Sequence, residues 1–185
     1  MKIKATIVTT IICTLMLSIN VQAGQLIKPY GNVPSVEVQH INTAYEKLPQ
    51  RTRDFVETHG YSLYLADDSI YDVVDPSIPH TFNGFTSESP AVVMVKYNTR
   101  NATSDAVLYH EIGHAINNIL GRYSDTGTWQ YVYKTEFRPG LTFSKIDNSS
   151  EWFAESVFMY YMYPAYFKMY CPLSYSTISE VLSAI

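Results

Sequence analysis

Two histidines and a glutamate near the middle of the chain have the spacing of a metal site. The segment His110-Glu111-Ile112-Gly113-His114 has the pattern His-Glu-x-x-His. On a helix, His110 and His114 lie one turn apart on the same face, so both imidazoles can bind one zinc ion. Glu111 lies beside them and can act on the proton of a metal-activated water. The segment therefore predicts one zinc ion per chain and hydrolytic chemistry.

The sequence after His114 restricts the choice of a third zinc ligand. Catalytic zinc sites usually have three protein ligands and one open position. No histidine follows His114, and Asn117 and Leu120 stand where an extended motif would have Gly and His, so we expect a carboxylate. Glu151 and Glu155 lie four residues apart on an otherwise apolar segment, where two carboxylates are costly without a cation. The alternative is that both face solvent beside a helix N-terminus.

Two helices must position these residues. Apolar spacing predicts a helix over about 104–120, with Gly121 as its stop. The segment Asn148-Ser149-Ser150-Glu151 resembles a capping box, and it predicts a second helix that runs to about residue 163 and ends at Pro164. The two candidate glutamates would then lie in the first two turns of the second helix.

The rest of the chain predicts a small mixed sheet and further helices. The intervening residues 122–145 contain Gly127, Pro139 and Gly140, so we predict an irregular loop at the rim of the site. The other predicted elements are helices near 36–47, 50–58 and from Ser174 onward, and strands at 61–66, 70–74, 81–86 and 91–97. This pattern predicts the α+β class, with an active-site helix and C-terminal helices.

The N-terminus is typical of a signal peptide for export. Lys2 and Lys4 precede an apolar run over residues 11–19, and small residues lead to Ala23. The apolar run is too short to span a bilayer, and no later segment predicts a membrane span. We expect cleavage near Ala23 and a protein that is secreted to the medium or the periplasm, with residues 24–34 as an extended N-terminus.

The mature chain is acidic and has a single cysteine. Loss of Lys2 and Lys4 takes the net charge from −4 to −6, which disfavours a nucleic-acid partner or an anionic membrane. Cys171 then has no partner for an internal disulfide, so packing and metal binding must supply the stability. We predict that Cys171 is a small buried hydrophobic residue.

Two motifs together resemble a known protease family. His110-Glu111-Ile112-Gly113-His114 followed by Glu151-Trp152-Phe153-Ala154-Glu155-Ser156 is similar to the catalytic domain of anthrax lethal factor and to the small secreted Pro-Pro endopeptidases. The resemblance implies a zincin-like metalloprotease domain over 35–185. It implies Glu151 as the third zinc ligand and Glu155 as a residue that orients a ligand histidine. It also implies a protein or peptide substrate, with prolines flanking the cleaved bond.

The chain departs from this family at one position. The family has a tyrosine seven residues before the ligand glutamate, where its hydroxyl helps to stabilise the tetrahedral intermediate. This sequence has Ser144 at that offset and Phe143 before it. Either Tyr131 or Tyr133 from the same segment serves instead, or the donor is missing. Loss of one such donor lowers the rate by about 10²–10³.

Substrate binding is encoded less specifically. The β-branched segment Ala91-Val92-Val93-Met94-Val95 is a candidate edge strand that could bind an extended peptide by backbone pairing. The same composition suits a central strand of the core. Trp129 and the tyrosines near it could line a groove for a proline-rich peptide or pack in the core.

Two functions from different classes follow from these residues. The first is a secreted zinc metalloendopeptidase with Glu111 as general base. The alternative is a secreted binding module or toxin-like component that keeps the metalloprotease fold with weak or no catalysis. Ser144 supports the alternative, whereas Glu111 favours the enzyme because a binding module needs no base beside the metal. A third interpretation is that both histidines pack without a metal. The sequence makes no prediction about oligomeric state.

Overall fold

Four strands form one mixed sheet in the order β1-β2-β4-β3. The strands are β1 (Lys28–Tyr30), β2 (Ser62–Ala66), β3 (Gly84–Glu88) and β4 (Ala91–Lys96). β1, β2 and β4 are parallel, whereas β3 is antiparallel to β4. The predicted small mixed sheet is therefore confirmed.

The computed structural model describes residues 27–69, 82–99, 102–138 and 148–185. The predicted signal peptide, the predicted strand at 70–74 and Ser144 lie outside these ranges. None of the helices within them is long and apolar enough to cross a membrane.

The sheet is buried on one face because its apolar residues alternate along the strands. Leu63 and Leu65 of β2 and Val93 and Val95 of β4 are fully buried in the main core. The opposite face carries a smaller cluster around Met94. Side chains that are two residues apart point to the same face, so this alternation fixes which face the helices cover.

Helices cover the buried face of the sheet. They are α1 (Ser35–Glu46), α2 (Gln50–Thr58), α3 (Ser104–Ile119), α4 (Gly127–Glu136), α5 (Ser149–Met162), α6 (Pro164–Tyr170) and α7 (Pro172–Ala184), with a 3-10 turn at Tyr123–Asp125. α3 packs on β3 and β4 and makes its most extensive helix contact with α5. The strands and helices together confirm the predicted α+β class.

The two helices that carry the predicted site residues begin and end close to the predicted positions. The Thr103 side chain accepts a hydrogen bond from the Ala106 amide and opens α3. The Asn148 side chain accepts a bond of 2.9 Å from the Glu151 amide and opens α5. After α3, Gly121 adopts a positive φ of 67°, which suits a residue without a side chain.

The prediction of an irregular loop over 122–145 is wrong for its first half, which forms the 3-10 turn and α4. The Thr126 side chain accepts a hydrogen bond from the Trp129 amide and begins α4. Trp129 and Val132 are then buried against the core. Gly127 suggested a loop, but at the first position of a helix it carries little cost, and tertiary burial decides the conformation.

Part of the segment predicted as an extended N-terminus, residues 24–34, is anchored to the fold. Lys28–Tyr30 pairs with β2 as a parallel edge strand, and Ile27 is buried. The Ile27 amide donates a hydrogen bond of 2.8 Å to the Asn42 side chain of α1. A strand of three residues gives almost no sequence pattern, and its pairing partner lies more than thirty residues away.

The C-terminal helices depart from the prediction at their boundaries. Pro164 does end α5, but it also opens α6 at its first position, where a proline is well accommodated. The last helix begins at Pro172 rather than Ser174. Cys171 lies between these helices and is buried, as predicted. Burial raises the pKa of its thiol to about 11, and the negative charge of Glu136 adds to this effect.

Candidate metal centre

Helices α3 and α5 approach closely because Gly113 has no side chain. A Cβ added at Gly113 would lie 2.7 Å from the Cα of Ala154 and 2.9 Å from its carbonyl oxygen. Atoms that are not bonded to each other cannot come so close, so only glycine permits this helix contact. The close contact brings the histidine face of α3 against the glutamate face of α5.

Three predicted ligands converge at this contact. His110 Nε2 lies 3.1 Å from His114 Nε2 and 3.2 Å from Glu151 Oε2, and His114 Nε2 lies 3.3 Å from Glu151 Oε1. One potential ligand atom from each of the three residues lies within 4.8 Å of the others. The imidazoles are largely buried, and the Glu151 carboxylate is about one-third exposed, so the cluster opens to solvent on one side.

The chemistry and spacing of these donors fit a zinc ion. Zinc binds imidazole nitrogen and carboxylate oxygen at about 2.0–2.2 Å in a tetrahedral arrangement. Two ligands of such a site are therefore about 3.3 Å apart. The two nitrogens are 3.1 Å apart, and each lies close to that distance from one of the two Glu151 oxygens, His110 Nε2 at 3.2 Å from Oε2 and His114 Nε2 at 3.3 Å from Oε1. The cluster therefore supplies three ligands in an arrangement suited to one metal ion.

Glu155 occupies the other side of the His110 ring. Its Oε2 lies 3.2 Å from His110 Nδ1, and its side chain is only 2% exposed. A hydrogen bond at Nδ1 fixes the ring and leaves Nε2 directed at the cluster. The structure thus places the two glutamates differently, with Glu151 at Nε2 and Glu155 at Nδ1.

The two carboxylates keep a proton on His110 when no metal competes for it. Burial lowers the pKa of His110, but the hydrogen bonds to Glu151 and Glu155 outweigh burial and raise it to about 10. Burial raises the pKa of Glu151, but its hydrogen bonds to His110 and His114 bring it well below the ordinary range. Both shifts describe the same ion pair, and a metal must displace the proton at His110 Nε2.

Glu111 lies on the same helix between the two histidines in sequence and is buried. Its Oε2 accepts a hydrogen bond of 2.7 Å from the Thr86 hydroxyl of β3. β3 comes this close to α3 because Gly84 lacks a side chain, since a Cβ there would lie 2.6 Å from Val107 and 2.9 Å from Glu111. Thr86 and Gly84 could not be predicted as part of the site, because neither a single threonine nor a single glycine in a strand indicates which helix it will face.

The prediction that Ala91-Val92-Val93-Met94-Val95 is an edge strand is wrong. β4 lies between β2 and β3 and pairs with both, so its backbone has no free side for a peptide. Three of its side chains, Val93, Met94 and Val95, are buried on the two faces of the sheet. Within the described residues β3 pairs with β4 alone, so β3 forms one edge of the sheet and β1 forms the other.

The candidate tyrosines lie on α4. Tyr131 is 65% exposed, and the Tyr133 ring lies 5.2 Å from the ring of Phe137. Within the described ranges, neither hydroxyl forms a hydrogen bond with the cluster, and their part in catalysis stays a prediction. Trp129 is fully buried and donates a bond of 2.8 Å to the Ser149 carbonyl, so it belongs to the core and not to a groove.

Comparisons with known proteins agree with this fold. The sequence model of the family described as anthrax toxin lethal factor, N- and C-terminal domain, matches residues 18–181. Among solved structures, the Pro-Pro endopeptidase PPEP-2 from Paenibacillus alvei is similar, with a TM-score of 0.68 and 18% sequence identity. That match covers 84% of this chain and 97% of the other. No curated protein sequence matches the chain.

The mixed sheet and the helix pair form a zincin-like fold similar to that of the Pro-Pro endopeptidase, and two histidines and one glutamate on the helix pair form a cluster that could hold a metal ion. The family match covers nearly the whole sequence, and the chain belongs to the anthrax toxin lethal factor family. The resemblance that His110–His114 and Glu151–Ser156 indicated is thereby confirmed.

Proposed function

We propose that this protein is a secreted zinc metalloendopeptidase that hydrolyses peptide bonds with Glu111 as general base. The observation that carries the proposal is the convergence of His110, His114 and Glu151 within 4.8 Å. Glu111 follows the first of these histidines on the same helix. Three ligands with an adjacent carboxylate are the parts that metal-assisted hydrolysis requires.

His110, His114 and Glu151 would hold the ion, and Glu155 would hold the His110 ring in place. A bound zinc ion supplies Lewis-acid activation of a water and of the scissile carbonyl. Glu111 accepts the proton of the attacking water and delivers it to the leaving amine. Glu155 is buried, so its carboxylate faces His110 rather than solvent.

The proposed substrate is a peptide with prolines around the cleaved bond. The support for proline is the name of the similar Pro-Pro endopeptidase, together with the proline preference implied by the sequence resemblance. An extended peptide can add to an exposed sheet edge by backbone hydrogen bonds. Among the strands that the structure describes, β3 is an edge strand and places Thr86 beside Glu111, so it replaces β4 as the candidate binding strand.

We also propose export, with cleavage of the signal peptide near Ala23. The support is the basic and apolar pattern of the first 23 residues. Expression in a bacterial host followed by mass spectrometry of the exported protein tests this directly. A mature N-terminus at or near Gly24 is expected, and an uncleaved protein that stays in the cytoplasm would overturn the proposal.

The decisive experiment compares the wild type with Glu111→Ala in metal content and in cleavage of a peptide library. We expect about one zinc ion per chain in both proteins. Cleavage should occur only with the wild type, at bonds flanked by proline. Stoichiometric zinc without cleavage of any peptide would favour the binding module, and a folded wild type that binds no zinc would overturn both metal-dependent functions.

A further inference from the structure

The Thr86 hydroxyl contacts the proposed general base at two points. Its Oγ1 lies 2.7 Å from Glu111 Oε2 and 3.0 Å from the main-chain carbonyl oxygen of the same residue. A threonine hydroxyl has one proton, and the shorter contact is to the carboxylate, so the hydrogen bond runs from Thr86 to Oε2. The main-chain carbonyl oxygen is a second, more distant acceptor for the same proton, and this shared hydrogen bond keeps the hydroxyl close to α3.

The backbone around this contact is built to bring Thr86 close. Gly84 lies two residues before Thr86 on the same face of β3, where a side chain would collide with Val107 and Glu111. β3 is also paired to β4 along its length, from Gly84↔Val95 to Glu88↔Ala91. Thr86 is therefore held by the sheet, while Glu111 is held by the helix.

The hydrogen bond makes the two oxygens of Glu111 different. Oε2 is engaged by Thr86, whereas Oε1 accepts no hydrogen bond from the residues that the structure describes. A carboxylate with one oxygen fixed can rotate little about its last side-chain bond, so the other oxygen keeps one direction. General-base catalysis requires the accepting oxygen to stay within hydrogen-bond reach of the water.

We propose that Thr86 is a positioning residue that fixes Glu111 through Oε2, so that Oε1 is the oxygen that takes the proton of the attacking water. The inference rests on the proposed peptidase function for its consequence in catalysis. Its structural part, the immobilised carboxylate, is independent of that function. Thr86 itself exchanges no proton with the substrate.

Two substitutions separate the hydroxyl from the shape of the side chain. Thr86→Val keeps the branched shape and removes the donor, whereas Thr86→Ser keeps the donor and removes the methyl group. We expect Thr86→Val to lower kcat about ten- to a hundredfold, less than the roughly 10²–10⁴ that a general base contributes in full. KM, zinc content and melting temperature should stay close to wild type, and Thr86→Ser should restore most of kcat.

A crystal structure of zinc-loaded Thr86→Val provides a readout that does not depend on activity. We expect the Glu111 carboxylate to occupy more than one orientation, whereas in Thr86→Ser it should stay in one. A Glu111 that keeps a single wild-type orientation in Thr86→Val would overturn the proposal, as would an unchanged kcat. A wild type without cleavage would instead overturn the peptidase function, and the orientation of Glu111 would still decide the role of Thr86.

Discussion

Gly113 of α3 lies directly against the backbone of Ala154 in α5, with room for no side chain between them. Each of these small residues has the same position within its motif. Gly113 follows His110 by three residues and precedes His114, and Ala154 follows Glu151 by three and precedes Glu155. The contact between two small residues therefore sets two histidines of one helix opposite two glutamates of the other.

Gly113→Ala should disrupt the metal site from a position that binds no metal. Helix propensity alone would favour alanine by about 1 kcal/mol. The added Cβ would lie 2.7 Å from a backbone atom of α5, and overpacking of this kind typically costs about 1–3 kcal/mol. We expect lower stability in urea unfolding and weaker zinc binding in competition with a chromogenic chelator.

Gly127→Ala is the matched control for this prediction. Gly127 lies at the start of α4 and does not adopt a positive φ, and a Cβ added there would have no atom within 4 Å beyond its neighbours in the chain. Its substitution should leave zinc binding unchanged and stability equal or slightly higher. If Gly113→Ala bound zinc as tightly as wild type, the helix contact would not determine the site.

Glu151→Ala should weaken zinc binding more than any change at Glu155. Glu151 supplies a ligand atom, whereas Glu155 contacts His110 at Nδ1, on the side of the ring away from the cluster. The loss should therefore exceed the roughly 10–100-fold that removal of a residue behind a ligand typically costs. Equilibrium dialysis against buffered zinc measures both variants. A larger loss for Glu155→Ala would reverse the assignment of the two residues.

Glu155→Gln should change the number of protons released when zinc binds. With Glu155 neutralised, the pKa of His110 falls from its raised value. A smaller fraction of the molecules then carries a proton on His110 near pH 8, so zinc has fewer protons to displace. Calorimetric titration with zinc in buffers of different ionisation enthalpy measures this release. We expect fewer protons than for wild type, and equal release would show that Glu155 does not hold the His110 proton.

The stability of the protein without zinc should depend on pH through the same ion pair. The pKa of His110 is raised from 6.5 to about 10, so its contribution is complete below pH 6.5 and is lost as the pH rises towards 10. The pKa of Glu151 is lowered, so its contribution is present above about pH 4.5 and is lost as the pH falls. The maximum contribution thus lies between about pH 4.5 and 6.5.

Zinc should reverse the alkaline part of this dependence, because its ligands must be deprotonated. As the pH rises above 6.5, we expect the free energy of unfolding measured with chelator to fall. The increase in that free energy on addition of zinc should rise over the same range. Urea unfolding of wild type and His110→Ala, each with zinc and with chelator, separates the ion pair from other titrating groups. A wild-type slope equal to that of His110→Ala in the chelator would contradict the prediction.

Glu136→Ala should destabilise the fold without affecting the metal site. The buried Glu136 carboxylate accepts hydrogen bonds of 2.8 and 2.7 Å from the amides of Leu173 and Ser174 at the start of α7. Removal leaves these amides without an acceptor, at a cost of about 2–3 kcal/mol. Exposed Glu180 on α7 is the control, because surface substitutions usually change stability by less than about 0.5 kcal/mol. A loss of zinc affinity in Glu136→Ala would show that α4 supports the site.

The elements that carry the site were predictable because local signals agree there. The helix stop at Gly121 and the capping box at Asn148 are local signals, because each involves only a few consecutive residues and marks one end of a helix. The spacing of four within each motif then fixes one face of each helix, whatever the rest of the fold does. The histidine and glutamate faces were therefore predictable before any contact was known.

The errors fall where the signal is not local. β1 is three residues long and depends on pairing with a distant strand. α4 depends on the burial of Trp129 and Val132 rather than on strong helix formers. A β-branched segment such as Ala91–Val95 fits an edge or a centre equally well, and only the positions of β2 and β3 decide between them.

The sequence by itself determined which chemical groups this protein brings to its site: two histidines, the glutamate between them and two further glutamates, all at helical spacing. Only the tertiary structure decided which glutamate faces which nitrogen of His110, which strand forms the edge, and that Thr86 contacts Glu111. The reason is that helical spacing is a property of the local backbone. Contacts between distant elements depend on how closely the helices and strands can approach, and here Gly113 and Gly84 set that distance.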